Sequence, residues 1–145
     1  MSTSETADPR GLRFAAWVTS AVLAIVLATG VGWLLLAQTI VFGIGAFAGL
    51  SYAPYGLIFR QFIARRLGPP AVREPAAPPR FAQGVGFGFG IVGTAGYLSG
   101  VTALGIVATA MAFVAAFLNA AFGFCLGCHM YLLIRRFTTP KGVTA

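Results

Sequence analysis

Apolar residues run through this chain in two long blocks, not in short stripes. From Phe14 to Phe59, and again from Phe81 to Ile134, no residue carries a formal charge. The ten-residue alternating segments of a strand barrel are missing from both. A helix takes roughly 20 residues to cross the hydrocarbon core of a bilayer, so each block has room for two crossings and a turn. Backbone groups in lipid must be hydrogen-bonded within the protein, which favours helices over open strands. The pattern therefore predicts an all-α polytopic membrane protein, with four transmembrane helices in two hairpins covering residues 14–59 and 81–134. The first helix is expected near Phe14–Leu36, with Gln38 and Thr39 marking the turn. The second is expected near Ile40–Phe59, kinked by Pro54. The third is expected near Phe81–Leu98, with a turn at Ser99–Thr102, and the fourth then runs unbroken to Arg135. The first apolar run exceeds the roughly 7–15 residues of a cleavable signal segment, so it is read as a retained helix.

Charge adds an orientation. Of the 145 residues, 10 are basic and 3 acidic, giving a net charge of +7, and only 9% are charged; soluble domains carry about 25%. Arg10 and Arg13 precede the first block, Arg60, Arg65, Arg66, Arg73 and Arg80 separate the blocks, and Arg135, Arg136 and Lys141 follow the second. With four crossings all three clusters share one face, which positive-inside bias assigns to the cytoplasm. Residues 1–13 then form a disordered cytoplasmic tail, 60–80 a basic proline-rich loop, and 135–145 a second tail. Arg60, Arg65, Arg66, Arg80, Arg135 and Arg136 are the expected membrane anchors, with Leu57–Leu67 as a helical extension lying on the lipid interface. Topology accounts for the positive charge, so the bilayer and not nucleic acid is the expected partner.

Glycine crowds the third helix. Gly84/Gly88, Gly86/Gly90 and Gly96/Gly100 form small-xxx-small pairs that let helices approach closely, within the chain or in a homo-oligomer or larger membrane complex. Gly88-x-Gly90-x-x-Gly93 also fits the dinucleotide fingerprint, but neither the preceding strand nor the downstream acid that this motif needs is present. Each hairpin opens on an arginine-phenylalanine pair, Arg13-Phe14 and Arg80-Phe81. Two readings stay open: a parallel internal repeat about an axis along the membrane normal, or two hairpins that each need a basic anchor.

Candidate chemistry concentrates at Cys125-Leu-Gly-Cys128-His129, which holds both cysteines and the single histidine. Residues three apart share a helix face, so a disulfide is sterically allowed. In an unbroken helix Cys128 and Cys125 lie about 10 and 15 Å from Arg135, in the cytoplasmic half of the bilayer. The C-terminal half of a helix does not help a thiolate, so His129 is the candidate base, with Gln83 and Asn119 as polar support. The thiols read as a redox or sulfur-transfer pair, as a Cu or Zn site with His129, or as small side chains packing a seam. The stretch is also literally the c-type haem signature C-x-x-C-H. Haem attachment belongs to the outer face of the bacterial membrane, so haem c, like a resident metal, is not expected. No carboxylate lies inside either block, which disfavours hydrolase chemistry and proton-coupled transport through Asp or Glu. Whether the chain is an enzyme stays open.

Three ordered stretches carry a family resemblance: Asp8-Pro9-Arg10-Gly11-Leu12-Arg13-Phe14, Pro78-Pro79-Arg80-Phe81-Ala82-Gln83, and Leu118-Asn119 through Cys125-Leu126-Gly127-Cys128. On these the chain resembles the DUF4395 family of small bacterial membrane proteins. The resemblance implies a bacterial inner-membrane location. It carries Arg80, Phe81, Gln83, Asn119, Cys125 and Cys128 as matching positions, with His129 at a variable one. Genes of that family stand beside those for thioredoxin-like and rhodanese-type proteins. This implies a thiol or sulfur relay with such a cytoplasmic partner. The alternative is a non-enzymatic channel or transporter subunit, or an accessory subunit of a membrane complex.

Overall fold

A computed structural model describes residues 6–138. The chain is all-α apart from one short antiparallel bridge, β1 (Thr6–Ala7) with β2 (Glu74–Pro75). Asp8 starts the first helix, α1 (Pro9–Thr29): it is extended and its carboxylate accepts the Arg10 amide at 2.9 Å, while Pro9 holds a first-turn position that needs no donor. Gly30, left-handed at φ 72°, stops α1. After Val31 comes α2 (Gly32–Gly43), which widens into a π-type turn over Ile44–Ala48. A short 3₁₀ turn, Leu50–Tyr52, leads to α3 (Pro54–Ile58), a second π-type turn over Phe59–Ile63, and α4 (Ala64–Leu67). The second half repeats the scheme with longer pieces: α5 (Ala77–Ser99), a turn at Gly100–Val101, α6 (Thr102–Phe122) and α7 (Leu126–Thr138).

Several expected boundaries move. The turn of the first hairpin falls at Gly30–Val31, not at Gln38–Thr39, which lie buried in the middle of α2. Their polarity has a use there: Thr39 Oγ1 donates to the Leu35 carbonyl at 2.8 Å, and Gln38 Oε1 accepts from the Tyr55 hydroxyl at 2.6 Å. Pro54 does not kink a long second helix; it opens α3 after a break at Gly49. Residues 9–13 belong to α1 and 135–138 to α7, whereas residues 1–5 of the expected tail, and 139–145 with Lys141, lie outside the described residues. The second turn is where the sequence put it.

Packing explains the glycines. A Cβ on Gly86 would meet the Phe42 ring at 2.8 Å, one on Gly93 would meet Leu35 at 2.8 Å, and one on Gly90 would overlap Thr39, so this face of α5 is the seat of α2. Further along α5 a Cβ at Gly96 would stand 2.6 Å from the Gly105 amide nitrogen, where α5 crosses α6 backbone to backbone. Gly84 touches Ala46 at ordinary distance, and Gly88 and Gly100 face open space. Leu23, Val26, Leu35 and Ala112 form the centre of the core. Large apolar side chains such as Ile25, Trp33, Ile40, Ile91, Val107 and Met111 point outward instead.

The two halves also share a contact that the sequence does not display. The Arg13 guanidinium donates from Nε and Nη2 to the Ala120 carbonyl (3.3 and 2.8 Å) and from Nη2 to that of Ala121 (3.4 Å). Arg80 donates from the same nitrogens to the Ala46 carbonyl (3.2 and 2.9 Å) and to that of Phe47 (3.3 Å). Each arginine at the start of one half thus grips the end of the second helix of the other half. Phe14 packs on Phe59 and Phe81 on Tyr131, both with ring centroids 5.8 Å apart, so the aromatic residue after each arginine meets a ring beyond the break of its own half.

Candidate functional site

The cysteine pair does not sit inside a continuous helix. α6 ends at Phe122, and Gly123 takes the left-handed conformation at φ 71°. The Gly123 amide donates to the Asn119 carbonyl at 3.0 Å and the Phe124 amide reaches back to Leu118 at 3.2 Å. The chain then turns, and α7 begins immediately after Cys125. Arg13 holds the end of α6 at this point, which puts the pair at the end of the bundle where α1 and α5 start.

Cys125 and Cys128 are joined as a disulfide, with Cα atoms 5.2 Å apart. The Cys128 amide donates to Cys125 Sγ at 3.2 Å. Cys125 therefore stands at the N-terminus of α7, and a sulfur there faces free amides and the positive end of the helix dipole. This reverses the expectation of a pair in the C-terminal half of a helix, and the cause is the break at Gly123. Both cysteines are half-buried, between the exposed side chains of Phe124, Leu126 and His129.

Gly127, between the cysteines, is buried and seats α7 on α5. A Cβ there would lie 2.5 Å from the Ala82 Cβ and 2.6 Å from its Cα. The Phe81–Tyr131 ring contact secures the next turn. His129 stacks on Phe124, with centroids 4.2 Å apart and planes 15° from parallel, and its Nδ1 lies 2.8 Å from the Cys125 carbonyl. A carbonyl can only accept, so Nδ1 is the protonated nitrogen in this pairing. His129 thus braces the first turn of α7 with that nitrogen. Gln83 is turned to the π-type turn that follows α2, where its Oε1 lies 3.0 Å from the Cβ position of Gly45. Asn119 supports the turn through its backbone carbonyl. Of the expected anchors, Arg60 donates to the Ser51 carbonyl at 2.6 Å, and Arg135 donates to the Tyr131 hydroxyl at 3.1 Å. Arg65, Arg66 and Arg136 are exposed on α4 and α7. No group of three or more His, Cys, Asp or Glu side chains able to hold a metal occurs among the described residues.

Arg13 is the site residue that sequence reasoning missed. The available signal is the repeated arginine-phenylalanine opening, which the sequence leaves open between an internal repeat and two separate basic anchors.

These features define a small helical protein with a disulfide at the mouth of a helix, in which two helices, Pro9–Thr29 and Thr102–Phe122, are long and apolar enough to cross a membrane. The sequence then supplies the family. The model for the domain of unknown function DUF4395 matches residues 7–136, and the chain belongs to that family. No curated protein and no solved structure matches it.

Proposed function

We propose that this is a four-span inner-membrane protein in which Cys125 and Cys128 relay electrons to or from a cytoplasmic thioredoxin-like partner. The observation that carries the reading is the position of Cys125: a half-exposed sulfur at the N-terminus of α7, accepting the Cys128 amide and already paired with Cys128. Helix N-termini favour thiolates, which are the form that attacks disulfides.

The exchange is balanced without a further reagent. In the reduced pair the Cys125 thiolate attacks a partner disulfide, forming a mixed disulfide and releasing one partner thiolate, which takes up a proton. Cys128, losing its own proton, then attacks Cys125 Sγ, closes the intramolecular disulfide and frees the second partner thiol. Two electrons pass to the partner, and the reverse sequence returns them. A reducing cytoplasm would keep such a bond turning over.

The membrane reading draws support from the outward-facing Trp33 and Ile40 on α2 and Ile91 and Val92 on α5, helices that pack with the two apolar ones long enough to cross a membrane. Their outer surface matches lipid, while Thr19, Ser20, Gln38, Thr39, Thr94 and Thr109 are buried inside. The matched grips of Arg13 and Arg80 favour a parallel repeat over two independently anchored hairpins. The arginines at one end of the bundle favour a cytoplasmic assignment for that end and for both termini.

Trapping tests the relay. In membranes carrying Cys128→Ala, a thioredoxin-like partner with its resolving cysteine replaced, and its remaining cysteine presented as a disulfide with a small aromatic thiol, should form a mixed disulfide on Cys125 and release that thiol, and Cys125→Ala should form none. Equal trapping by both variants, or by neither, refutes the relay. Recovery of a persulfide on Cys125, with no mixed disulfide, would transfer the site to a sulfurtransferase partner.

A further inference from the structure

We infer that Arg13 is the positioning residue of the cysteine pair: it stops α6 short, and so places Cys125 just ahead of a new helix. If α6 ran on, the Phe124 amide would bond the Ala120 carbonyl and the Cys125 amide the Ala121 carbonyl, four residues back in each case. Those are the two carbonyls that the Arg13 guanidinium occupies. Deprived of these acceptors, the Phe124 amide turns back to Leu118 and Gly123 adopts its left-handed conformation. Ala120 is fully buried, so its carbonyl has no solvent to fall back on once α6 ends. A guanidinium fork suits the task, because it can serve two adjacent carbonyls at once and places positive charge at a helix C-terminus.

The other half of the molecule contains an internal control. Arg80 occupies the carbonyls of Ala46 and Phe47, which a continuing helix would offer to the Leu50 and Ser51 amides, and the chain breaks there at Gly49. The device is the same, but the residue two positions after the glycine is Ser51 in the first half and Cys125 in the second. The break is general to the fold, and its chemical consequence is confined to the Arg13 side.

The inference rests on the reading of Cys125 as the attacking thiol, yet its test needs no partner. In detergent-solubilised protein carrying Cys128→Ala throughout, the pH dependence of iodoacetamide alkylation reports on the Cys125 thiolate. Arg13→Met should slow alkylation at pH 7 about tenfold and move the profile to higher pH, because Cys125 then joins a continuous helix. Arg13→Lys, which keeps the charge but not the fork, should shift it in the same direction, separating geometry from a direct charge effect. Arg80→Met should leave the profile within about twofold. An unchanged profile in Arg13→Met, a wild-type profile in Arg13→Lys, or an equal shift in Arg80→Met overturns the inference. If Arg13→Met fails to fold, Gly123→Ala decides: removal of the left-handed stop should slow alkylation, and an unchanged rate refutes it. Failure of partner trapping beside a shifted profile would sink the relay and leave the role of Arg13 standing.

Discussion

Gly127→Ala tests whether the docking of α7 on α5 governs the cysteine site. The new methyl carbon would lie 2.5 Å from the Ala82 Cβ and 2.6 Å from its Cα. Carbon atoms rest at about 3.5–4.0 Å, so α7 must retreat by roughly 1 Å. The obstacle is backbone and a methyl group, neither of which can rotate away. Overpacking of this kind costs about 1–3 kcal/mol. Replacing glycine within a helix returns up to about 1 kcal/mol of propensity. With the full return, the balance is a net loosening of about 0–2 kcal/mol, confined to the α7 contact. Hydrogen exchange on detergent-solubilised protein should show the α7 amides opening about tenfold more often, with α6 unaffected. Gly88→Ala supplies the contrast, since nothing lies within 4 Å of its Cβ position and the change should be neutral or stabilising. Equal or slower exchange in Gly127→Ala would mean that propensity outweighs the clash, and would refute the close seat on Ala82.

Two further outcomes follow from polar contacts. Hydrogen bonds from Arg10 hold the Asp8 carboxyl below the usual carboxylate range, so the folded state prefers it ionised. Its contribution is complete above the unfolded-state value of about 4 and disappears as pH falls through the lower folded value. Asp8→Asn keeps the helix cap and removes the charge; it should unfold at lower temperature than the parent near neutral pH, and the gap should close in acid. A pH-independent gap would contradict this assignment. In the second case, a double-mutant cycle between Gln38→Leu and Tyr55→Phe should give a coupling of about 0.6–2 kcal/mol in detergent unfolding, the range found for hydrogen bonds between membrane helices. Additive effects would show that the 2.6 Å contact contributes nothing to stability.

The apolar blocks, the charge clusters and the second turn could be read directly, because each depends on local composition. The first turn could not. Gln38 and Thr39 look like turn residues to any reading that treats polarity as exposure, yet both are buried against partners from α2 itself and from α3. The true stop, Gly30, is one glycine among many until its left-handed conformation is seen. In the same way, one cysteine-bearing helix was expected to run to Arg135, since nothing between Phe122 and Cys125 forbids a helix outright.

By itself, then, the sequence determined the helical class, the family and the position of the cysteine pair. These depend on which residues are present and how they are spaced. Only the tertiary structure decided that Cys125 stands just ahead of a helix instead of lying inside one. That choice is made by Arg13, 112 residues away in the chain by the numbering, whose guanidinium takes the two carbonyls that a continuing helix would need. A hydrogen bond across that separation has no local signature, because carbonyls look alike in every residue and only the fold determines which donor reaches them.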